Sequence, residues 1–273
     1  MRTYNCSIII LVLILTVKSE LNCQTSLSLF NSNHNFATGK INDHYENLLN
    51  NPAFRNNSKS TYAGINISPS KYGLSELNYG SLFYERKFDR KVSSSITFQG
   101  MGGELYKEFS ARLGTAYQFD DGLIIGAALE YARLNIKNNS SFDAVMLHIG
   151  SVINVSERIT AGVAMHNVSR SAYEDIEENV DQVALVGLGV TTEDKIHFEV
   201  GGVVSLNEFS GFLFGIRHKI LDLIDTKMSV GTNPRSLELG VGYEIPVGLD
   251  LMFSVYYDQE LGYGKNIGLL YAD

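Results

Sequence analysis

Histidines, carboxylates and serines are the residues of this chain that could do acid–base or metal chemistry. Of the six histidines, two lie in the polar amino-terminal part and the others lie in separate extended stretches. No HExxH motif or histidine pair at helical spacing occurs, so no metal site is predicted. His166, Asn167 and Ser169 have the side-chain types of a hydrolase, but neighbours along a strand point to opposite faces. We therefore predict a non-enzymatic protein without cofactors, with a membrane-embedded hydrolase as an alternative.

The charge and the cysteine content exclude further classes of protein. The chain has 22 Lys and Arg against 30 Asp and Glu, a formal net charge of -8, and no basic cluster. A nucleic-acid-binding face needs concentrated positive charge, so no nucleic-acid partner is expected. The two cysteines, Cys6 and Cys23, are too few for a disulfide framework or a thiolate zinc site.

The elements that must position the polar residues have a hydrophobic period of two, from Thr61 to the end. In residues 236–245 the odd positions are Leu, Leu, Val, Tyr and Ile, whereas the even ones are Ser, Glu, Gly, Gly and Glu. This alternation predicts a strand with one apolar face. It recurs in about fourteen stretches, at 61–68, 77–86, 91–99, 107–119, 122–135, 143–155, 158–168, 181–193, 195–205, 211–220, 226–233, 236–245, 249–258 and 265–272.

Most of these strands are longer than the five or six residues usual in soluble proteins, and they suit a membrane barrel, which needs about 9–11. The sequence predicts an all-β fold, a transmembrane antiparallel β-barrel of about 14 strands over residues 61–273. A secreted soluble β-sandwich or adhesin is the alternative.

The links and the aromatic residues favour the barrel. Every second link between successive strands is short, and the links in between are longer on average, as in outer-membrane barrels. Outer-membrane lipid is therefore an expected partner, and the cell outer membrane is the expected location. Two aromatic girdles are predicted, one with Phe88, Phe119, Tyr243 and Tyr271, the other with Phe98, Phe109, Tyr131, Phe212 and Tyr257.

Two segments precede the barrel. Residues 1–23 contain Arg2 and an unbroken apolar run from Ser7 to Val17, which predicts a signal peptide cleaved after Ser19 or after Cys23. Residues 24–60 are polar and asparagine-rich, with a short helix predicted over 41–49 and ended before Pro52. This second segment is long enough to plug the barrel mouth or to lie across the periplasmic opening.

Closure of the barrel leaves an inward face that carries most of the strand charges. Cations of strand 211–220 lie near Glu199 and near the acids of strand 236–245, so ion pairs across the lumen are expected. These charges either form a polar pathway for solute or pair to fill the interior. The residues predicted to face the lumen are Arg112, Glu130, His148, His166, His197, Glu199, Arg217, Lys219, Glu238, Glu244 and Asp250.

Several short elements resemble a known family. They are Asn51-Pro52-Ala53 and the stretches 72–77 (YGLSEL), 103–108 (GELYKE), 113–117 (LGTAY) and 159–168 (ITAGVAMHNV). Together they resemble the PorV/PorQ-like outer-membrane proteins of Bacteroidetes and relatives, a branch of the FadL-like fourteen-stranded barrels. The resemblance implies one of two roles. FadL-like proteins transport hydrophobic small molecules past an amino-terminal plug and through a lateral opening. PorV/PorQ-like proteins serve type IX secretion, with components of that system as partners.

Overall fold

The structure is a computed structural model that describes residues 36–41, 43–55, 59–74, 76–119, 122–138, 141–173, 180–205, 209–221 and 223–273. The predicted signal peptide lies outside these residues. The described elements are the helix α1 (His44–Asn50), a 3-10 turn (Lys71–Gly73) and the strands β1 (Thr61–Ser68), β2 (Asn78–Lys87), β3 (Val92–Gly102), β4 (Tyr106–Gln118), β5 (Leu123–Ile136), β6 (Ser141–Asn154), β7 (Ile159–His166), β8 (Val183–Thr191), β9 (Ile196–Ser205), β10 (Phe209–Leu221), β11 (Ile224–Thr232), β12 (Arg235–Ile245), β13 (Leu249–Asp258) and β14 (Gly262–Ala272).

The fourteen strands form one closed antiparallel barrel, in which each strand pairs with its neighbours in sequence and β1 pairs with β14. Closure gives every strand two partners, which is the condition for strands in hydrocarbon. The predicted fold class is confirmed, and each predicted strand boundary lies within three residues of the observed one.

The period-two pattern separates an apolar outside from a polar inside. On β12, Leu239 and Val241 are each 46% exposed, whereas Ser236 and Glu238 are 5% and 3% exposed. All nine aromatic residues predicted for the two girdles are exposed. The large apolar side chains thus cover the outer wall, as they do in barrels that face lipid.

The two ends of the barrel differ in their links. The first and last residues of the barrel lie at the same end, since Ser60 N–H donates to the carbonyl of Asp273 at 2.8 Å. We call this end of the barrel the terminal end and the opposite end the loop end. Links at the terminal end have at most four residues. At the loop end only residues 69–77 and 167–182 make long links. The other loop-end links are shorter than the sequence suggested, because strands such as β3, β6 and β14 continue into the predicted loops.

A segment of the chain lies inside the barrel. We call residues 36–41 and 43–55 the inner segment. Its helix α1 begins with a capping box between Asp43 and Glu46, and its Tyr45 and Leu49 pack against Phe83 of the wall. The observed helix begins three residues later and ends one residue later than predicted. The segment limits at 24 and 60 stay a prediction.

In the described ranges, no helix combines the length and apolar character needed to span a bilayer.

Candidate functional site

The inner segment lies directly on glycines of the wall. A Cβ atom at Gly126 would lie 2.1 Å from the carbonyl oxygen of Pro52, and one at Gly162 would lie 2.3 Å from that of Ala37. Both distances are far below van der Waals contact. Glycine at these inward positions therefore creates the space in which the inner segment runs.

Asn51 connects the inner segment to itself and to the wall. Its Nδ2 donates to the carbonyl of Ala37 at 2.7 Å and to that of Ser151 on β6 at 3.2 Å. Its Oδ1 accepts the Ala53 N–H at 2.9 Å, the local turn that asparagine favours. This side chain satisfies backbone groups that would otherwise be buried without partners.

A buried lysine holds the first turn of α1. Lys227 Nζ lies 2.9 Å from Asp43 Oδ2, 3.2 Å from Glu46 Oε2 and 3.0 Å from Glu238 Oε1. We call these four residues the first clasp. Burial raises the pKa of Glu46 to about 7, against the opposing effect of Lys227. The first clasp is thus an ionic contact between the inner segment and strands β11 and β12.

Arg217 extends the first clasp along β10. Its Nε donates to Asp225 Oδ2 at 2.6 Å, and its Nη1 lies 3.8 Å from Asp43 Oδ1. Its Nη1 also donates to the carbonyl of Ile41 at 3.3 Å. One guanidinium therefore contacts a wall carboxylate, an inner-segment carboxylate and an inner-segment carbonyl.

The last turn of α1 is held from the opposite side of the lumen. Arg112 Nη1 donates to the carbonyl of Leu49 at 2.7 Å, and His166 Nε2 lies 2.9 Å from the carbonyl of Asn50. Carbonyls at a helix end have no partner within the helix, so these wall side chains cap α1.

The capping histidine belongs to a buried chain of side chains. His166 Nδ1 lies 3.1 Å from His148 Nδ1, and His148 Nε2 lies 3.1 Å from Glu130 Oε2. Arg112 Nη1 is 4.0 Å from the same carboxylate oxygen. All four side chains are buried. We call Arg112, Glu130, His148 and His166 the second clasp.

Two further contacts connect the inner segment to the wall. Glu199 on β9 accepts hydrogen bonds from the Thr38 N–H at 2.9 Å and from Thr38 Oγ1 at 2.5 Å. His44 Nε2 lies 2.8 Å from Glu85 Oε2 on β2, and the His44 ring stacks on Tyr62 with 4.2 Å between centroids. The inner segment is thus bonded to strands on several sides of the lumen.

A cavity of about 520 Å³ lies between the inner segment and the wall at the terminal end. Lys219 Nζ pairs with Glu244 Oε2 at 2.7 Å, and His197 Nδ1 lies 2.7 Å from Thr191 Oγ1. More cations than acids line this cavity. The cations are Lys40, Arg55, Lys195, Arg217 and Lys219, and the acids are Asp225, Glu244 and Asp250. Apolar side chains complete the lining, including Phe54, Leu223, Met252 and Leu270.

An apolar cluster lies at the loop end of the lumen. Tyr173 and Val180 of link 167–182 pack against inward side chains of β5 and β6, which are Ala132, Leu134, Phe142, Ala144 and Met146. We call these seven residues the loop-end cluster. Nearby, burial lowers the pKa of Lys71 to about 7, and its Nζ lies 4.7 Å from the ring centre of Tyr79.

The wall has a seam beside this cluster. Residues 141–148 of β6 pair with β5, but β7 pairs only with residues 149–154 of β6. Among the described residues, link 167–173 takes the place of a strand there. Leu147 N–H donates to Ser169 Oγ at 3.1 Å, and the carbonyl of Val145 accepts the hydroxyl of Ser171. Side-chain hydroxyls thus replace part of a backbone ladder.

The structure distributes the predicted lumen residues over these contacts. Arg112, Glu130, His148 and His166 meet in the second clasp, and Glu238 belongs to the first clasp. The remaining ones line the terminal-end cavity or lie beside it, namely His197, Glu199, Arg217, Lys219, Glu244 and Asp250. A role of any of them in solute passage stays a prediction.

The expected ion pairs form only in part. Lys219 does pair with an acid of β12, but Arg217 pairs with Asp225 on the adjacent strand, and Glu199 accepts hydrogen bonds from Thr38 of the inner segment. The inner segment was not predicted as a source of partners for these charges. That segment brings its own polar groups into the lumen, and they compete for the wall charges.

Lys227, the centre of the first clasp, was not among the predicted lumen residues, although signals for it exist. Lys227 and Asp225 alternate with Met228 and Thr226, so the period of two places them inward. The pattern Asp-x-x-Glu at Asp43 is a capping-box signature. No group of three or more His, Cys, Asp and Glu side chains that could hold a metal ion occurs in the described part of the chain.

No protein-family profile matches the sequence, and no curated protein is significantly similar to it. Solved structures do share its fold. The toluene transporter TodX of Pseudomonas putida is 9% identical, with a TM-score of 0.57 over 93% of this chain and 98% of that one. The monoaromatic hydrocarbon channel CymD is 10% identical, with a TM-score of 0.60 over 86% of this chain and 94% of that one.

A FadL homologue of Pseudomonas aeruginosa is 12% identical, with a TM-score of 0.55 over 86% of this chain and 96% of that one. Identities this low establish a common fold and nothing finer. The PorV/PorQ-like part of the expected resemblance stays a prediction. The chain has the FadL-like fold of an outer-membrane β-barrel.

Proposed function

We propose that the protein is a non-enzymatic outer-membrane channel for small hydrophobic solutes, with the inner segment as its plug. The observation that carries this proposal is the loop-end cluster, a packed group of apolar side chains on the inner side of the wall, which lies directly beside the seam of β6. Transfer of an apolar solute from water to such an apolar environment is favourable. Its next favourable environment is the hydrocarbon on the other side of the wall.

The seam gives a route between these environments. Parting two fully paired strands in lipid would expose several backbone groups, each at a cost of several kcal/mol. At the seam, the hydroxyls of Ser169 and Ser171 supply contacts that a small movement of link 167–173 can break and remake. The fold is shared with channels described as carrying toluene and monoaromatic hydrocarbons, which supports a neutral aromatic hydrocarbon as the first solute to test.

The test compares two substitutions of alanine by phenylalanine. Ala144→Phe fills the loop-end cluster from inside, whereas Ala127→Phe adds the same volume on the outward face of β5. Uptake of radiolabelled toluene is measured in a deletion strain that expresses each variant, after heat-modifiable migration has shown that each barrel is folded. We expect Ala144→Phe to reduce uptake at least severalfold and Ala127→Phe to leave it unchanged. Equal uptake by all strains, including the deletion strain, would contradict the proposal.

The role in type IX secretion is the second role that the resemblance implies. The same deletion strain tests it, because a secretion component predicts that cargo with a sorting signal accumulates in the periplasm. Cargo retention with normal toluene uptake would favour this role over transport.

A further inference from the structure

The terminal-end cavity carries more positive charge than its own acids neutralise. Two of its five cations are paired with two of its three acids, since Arg217 pairs with Asp225 and Lys219 Nζ lies 2.7 Å from Glu244 Oε2. Three cations and one acid remain in the lining, namely Lys40, Arg55, Lys195 and Asp250. A cleft lined mainly by one sign of charge concentrates ions of the opposite sign, so this cavity attracts anions.

Lys40 and Lys195 lie close to the same wall residue, His197. Lys195 precedes His197 by two residues in the link between β8 and β9, and Lys40 is near enough for its charge to act on the His197 ring. Neither lysine forms an ion pair with a carboxylate within the described ranges. One anionic group in the cavity can therefore interact with both ammonium groups.

The acids around these two lysines do not replace such an anion. Glu199, whose charge also acts on Lys40, is 1% exposed and accepts two hydrogen bonds from Thr38. Glu193 pairs with Arg158, and its side chain is 78% exposed to solvent. Asp194 is exposed in the same link and is not part of the cavity lining.

Arg55 adds a buried guanidinium to the lining. It is 8% exposed, its Nη2 donates to the carbonyl of Asp89 at 2.9 Å, and its Nε has no hydrogen-bond partner in the described part of the chain. The carboxylates of Glu85 and Asp89 act on it through their charges only. A buried cation without a directly bonded carboxylate is stabilised by an anion nearby.

The same cavity has an aromatic and apolar part. The ring of Phe54 stands edge-on to the ring of His44, with 5.2 Å between centroids and 79° between planes. Met252 and Leu270 belong to the apolar cluster against which Phe54 packs. Gly39 lies on the Phe54 ring so closely that a Cβ atom there would clash with it. Lys40 follows Gly39 in the chain, so the cationic and the aromatic parts of the lining adjoin.

We propose that the terminal-end cavity is a binding site for a compact aromatic carboxylate. The carboxylate binds the ammonium groups of Lys40 and Lys195, and the ring packs against Phe54 and Met252. The volume of about 520 Å³ lies within the range of about 300–1,000 Å³ that is usual for small-molecule sites, which combine an apolar lining with a few polar groups. Lys195 is exposed in a terminal-end link, so the ligand enters from that end.

This ligand connects the inner segment to the wall. Lys40 and Phe54 belong to the inner segment, whereas Lys195 and Met252 belong to the wall. The inference is independent of the proposed transport of neutral hydrocarbons, because the loop-end cluster and the seam have no part in this site.

Methionine methyl groups report where the ligand binds. Of the six methionines of the chain, Met252 lines the cavity, and Met146 belongs to the loop-end cluster. The experiment uses the full mature barrel in nonionic detergent micelles, with carbon-13 in its methionine methyl groups. Sodium benzoate is the probe, at pH 8 and at constant ionic strength. We expect benzoate to shift the Met252 methyl resonance saturably and to leave that of Met146 unchanged.

Charge and position are tested separately. Benzamide has nearly the same size and no charge, so it should bind about tenfold more weakly than benzoate, or less tightly still. Lys40→Gln and Lys195→Gln should each weaken benzoate binding by about fivefold, the contribution of one partly exposed ion pair. Lys40→Arg keeps the charge and should retain binding. The control Lys265→Gln, at an outward position of β14 opposite Val255, should bind as the wild type does.

Three outcomes would overturn the proposal. The first is a Met252 resonance that benzoate does not shift up to its solubility limit. The second is benzamide binding as tight as that of benzoate. The third is wild-type affinity for benzoate in both Lys40→Gln and Lys195→Gln, after heat-modifiable migration has shown that these barrels are folded. Toluene uptake is measured in separate cells, so failure of the transport proposal leaves these results unaffected.

Discussion

Replacing Lys227 by methionine removes the only ammonium of the first clasp while keeping a side chain of similar length. Lys227 lies within 3.2 Å of three carboxylates, and its side chain is 6% exposed. Breaking a buried ion pair by removing one partner costs about 3–5 kcal/mol, because the remaining charges lose their compensation out of water. We expect Lys227→Met to lower the free energy of unfolding at pH 8 by that amount.

Lys219→Met is the matched control. Lys219 Nζ approaches Glu244 as closely, at 2.7 Å, but its side chain is 38% exposed and that of Glu244 is 53% exposed. An exposed pair contributes at most about 1 kcal/mol. Urea unfolding, followed by the shift in electrophoretic mobility of the folded barrel, measures both variants. Equal losses in the two variants, or a loss below about 1 kcal/mol in Lys227→Met, would refute the reasoning that burial controls the contribution of the clasp.

Two further predictions concern the inner segment. Gly126→Ala should destabilise it, since the new Cβ would lie 2.1 Å from the carbonyl of Pro52, whereas Gly242→Ala, whose Cβ would meet nothing closer than 3.6 Å, should unfold at the wild-type urea midpoint. Because the pKa of Glu46 is raised from 4.5 to about 7, the folded protein keeps a proton in this pH window that the unfolded chain has lost. The free energy of unfolding therefore falls as the pH rises through this window. Glu46→Gln should flatten that fall in urea titrations at pH 5, 6 and 7, and an unchanged slope would contradict the assignment.

The fold was largely predictable because a membrane barrel repeats one local rule. Alternation at positions such as Glu238 and Leu239 fixes which face each residue occupies, and the pairing of successive strands fixes the order of the wall. The same rule placed His148 and His166 inward. It could not bring the two rings together, because their 3.1 Å contact depends on the stagger between β6 and β7, which the period does not encode.

The partners of the wall charges were harder to predict, because they lie on a segment whose sequence has no hydrophobic periodicity. Thr38 and Asp43 belong to residues 36–55, where no repeating pattern gives a face. Their bonds to Glu199 and Lys227 join residues more than 160 positions apart in the sequence. Contacts of this kind follow from filling a closed volume, so they are properties of the folded barrel and not of any local stretch.

The distribution of bonds also limits how a channel of this fold can open. Strand pairs in hydrocarbon must keep their backbone hydrogen bonds, so most of the wall is unable to part. In the described part of the chain, side chains hold the inner segment, through its clasps, and they hold the seam, through Ser169 and Ser171, together with the backbone bond from Val168 N–H to the Leu147 carbonyl. Water or a new partner can replace these side-chain contacts at a lower cost than a broken strand ladder. A passage through this barrel therefore requires movement of the inner segment, of link 167–173, or of both, while the rest of the wall stays closed.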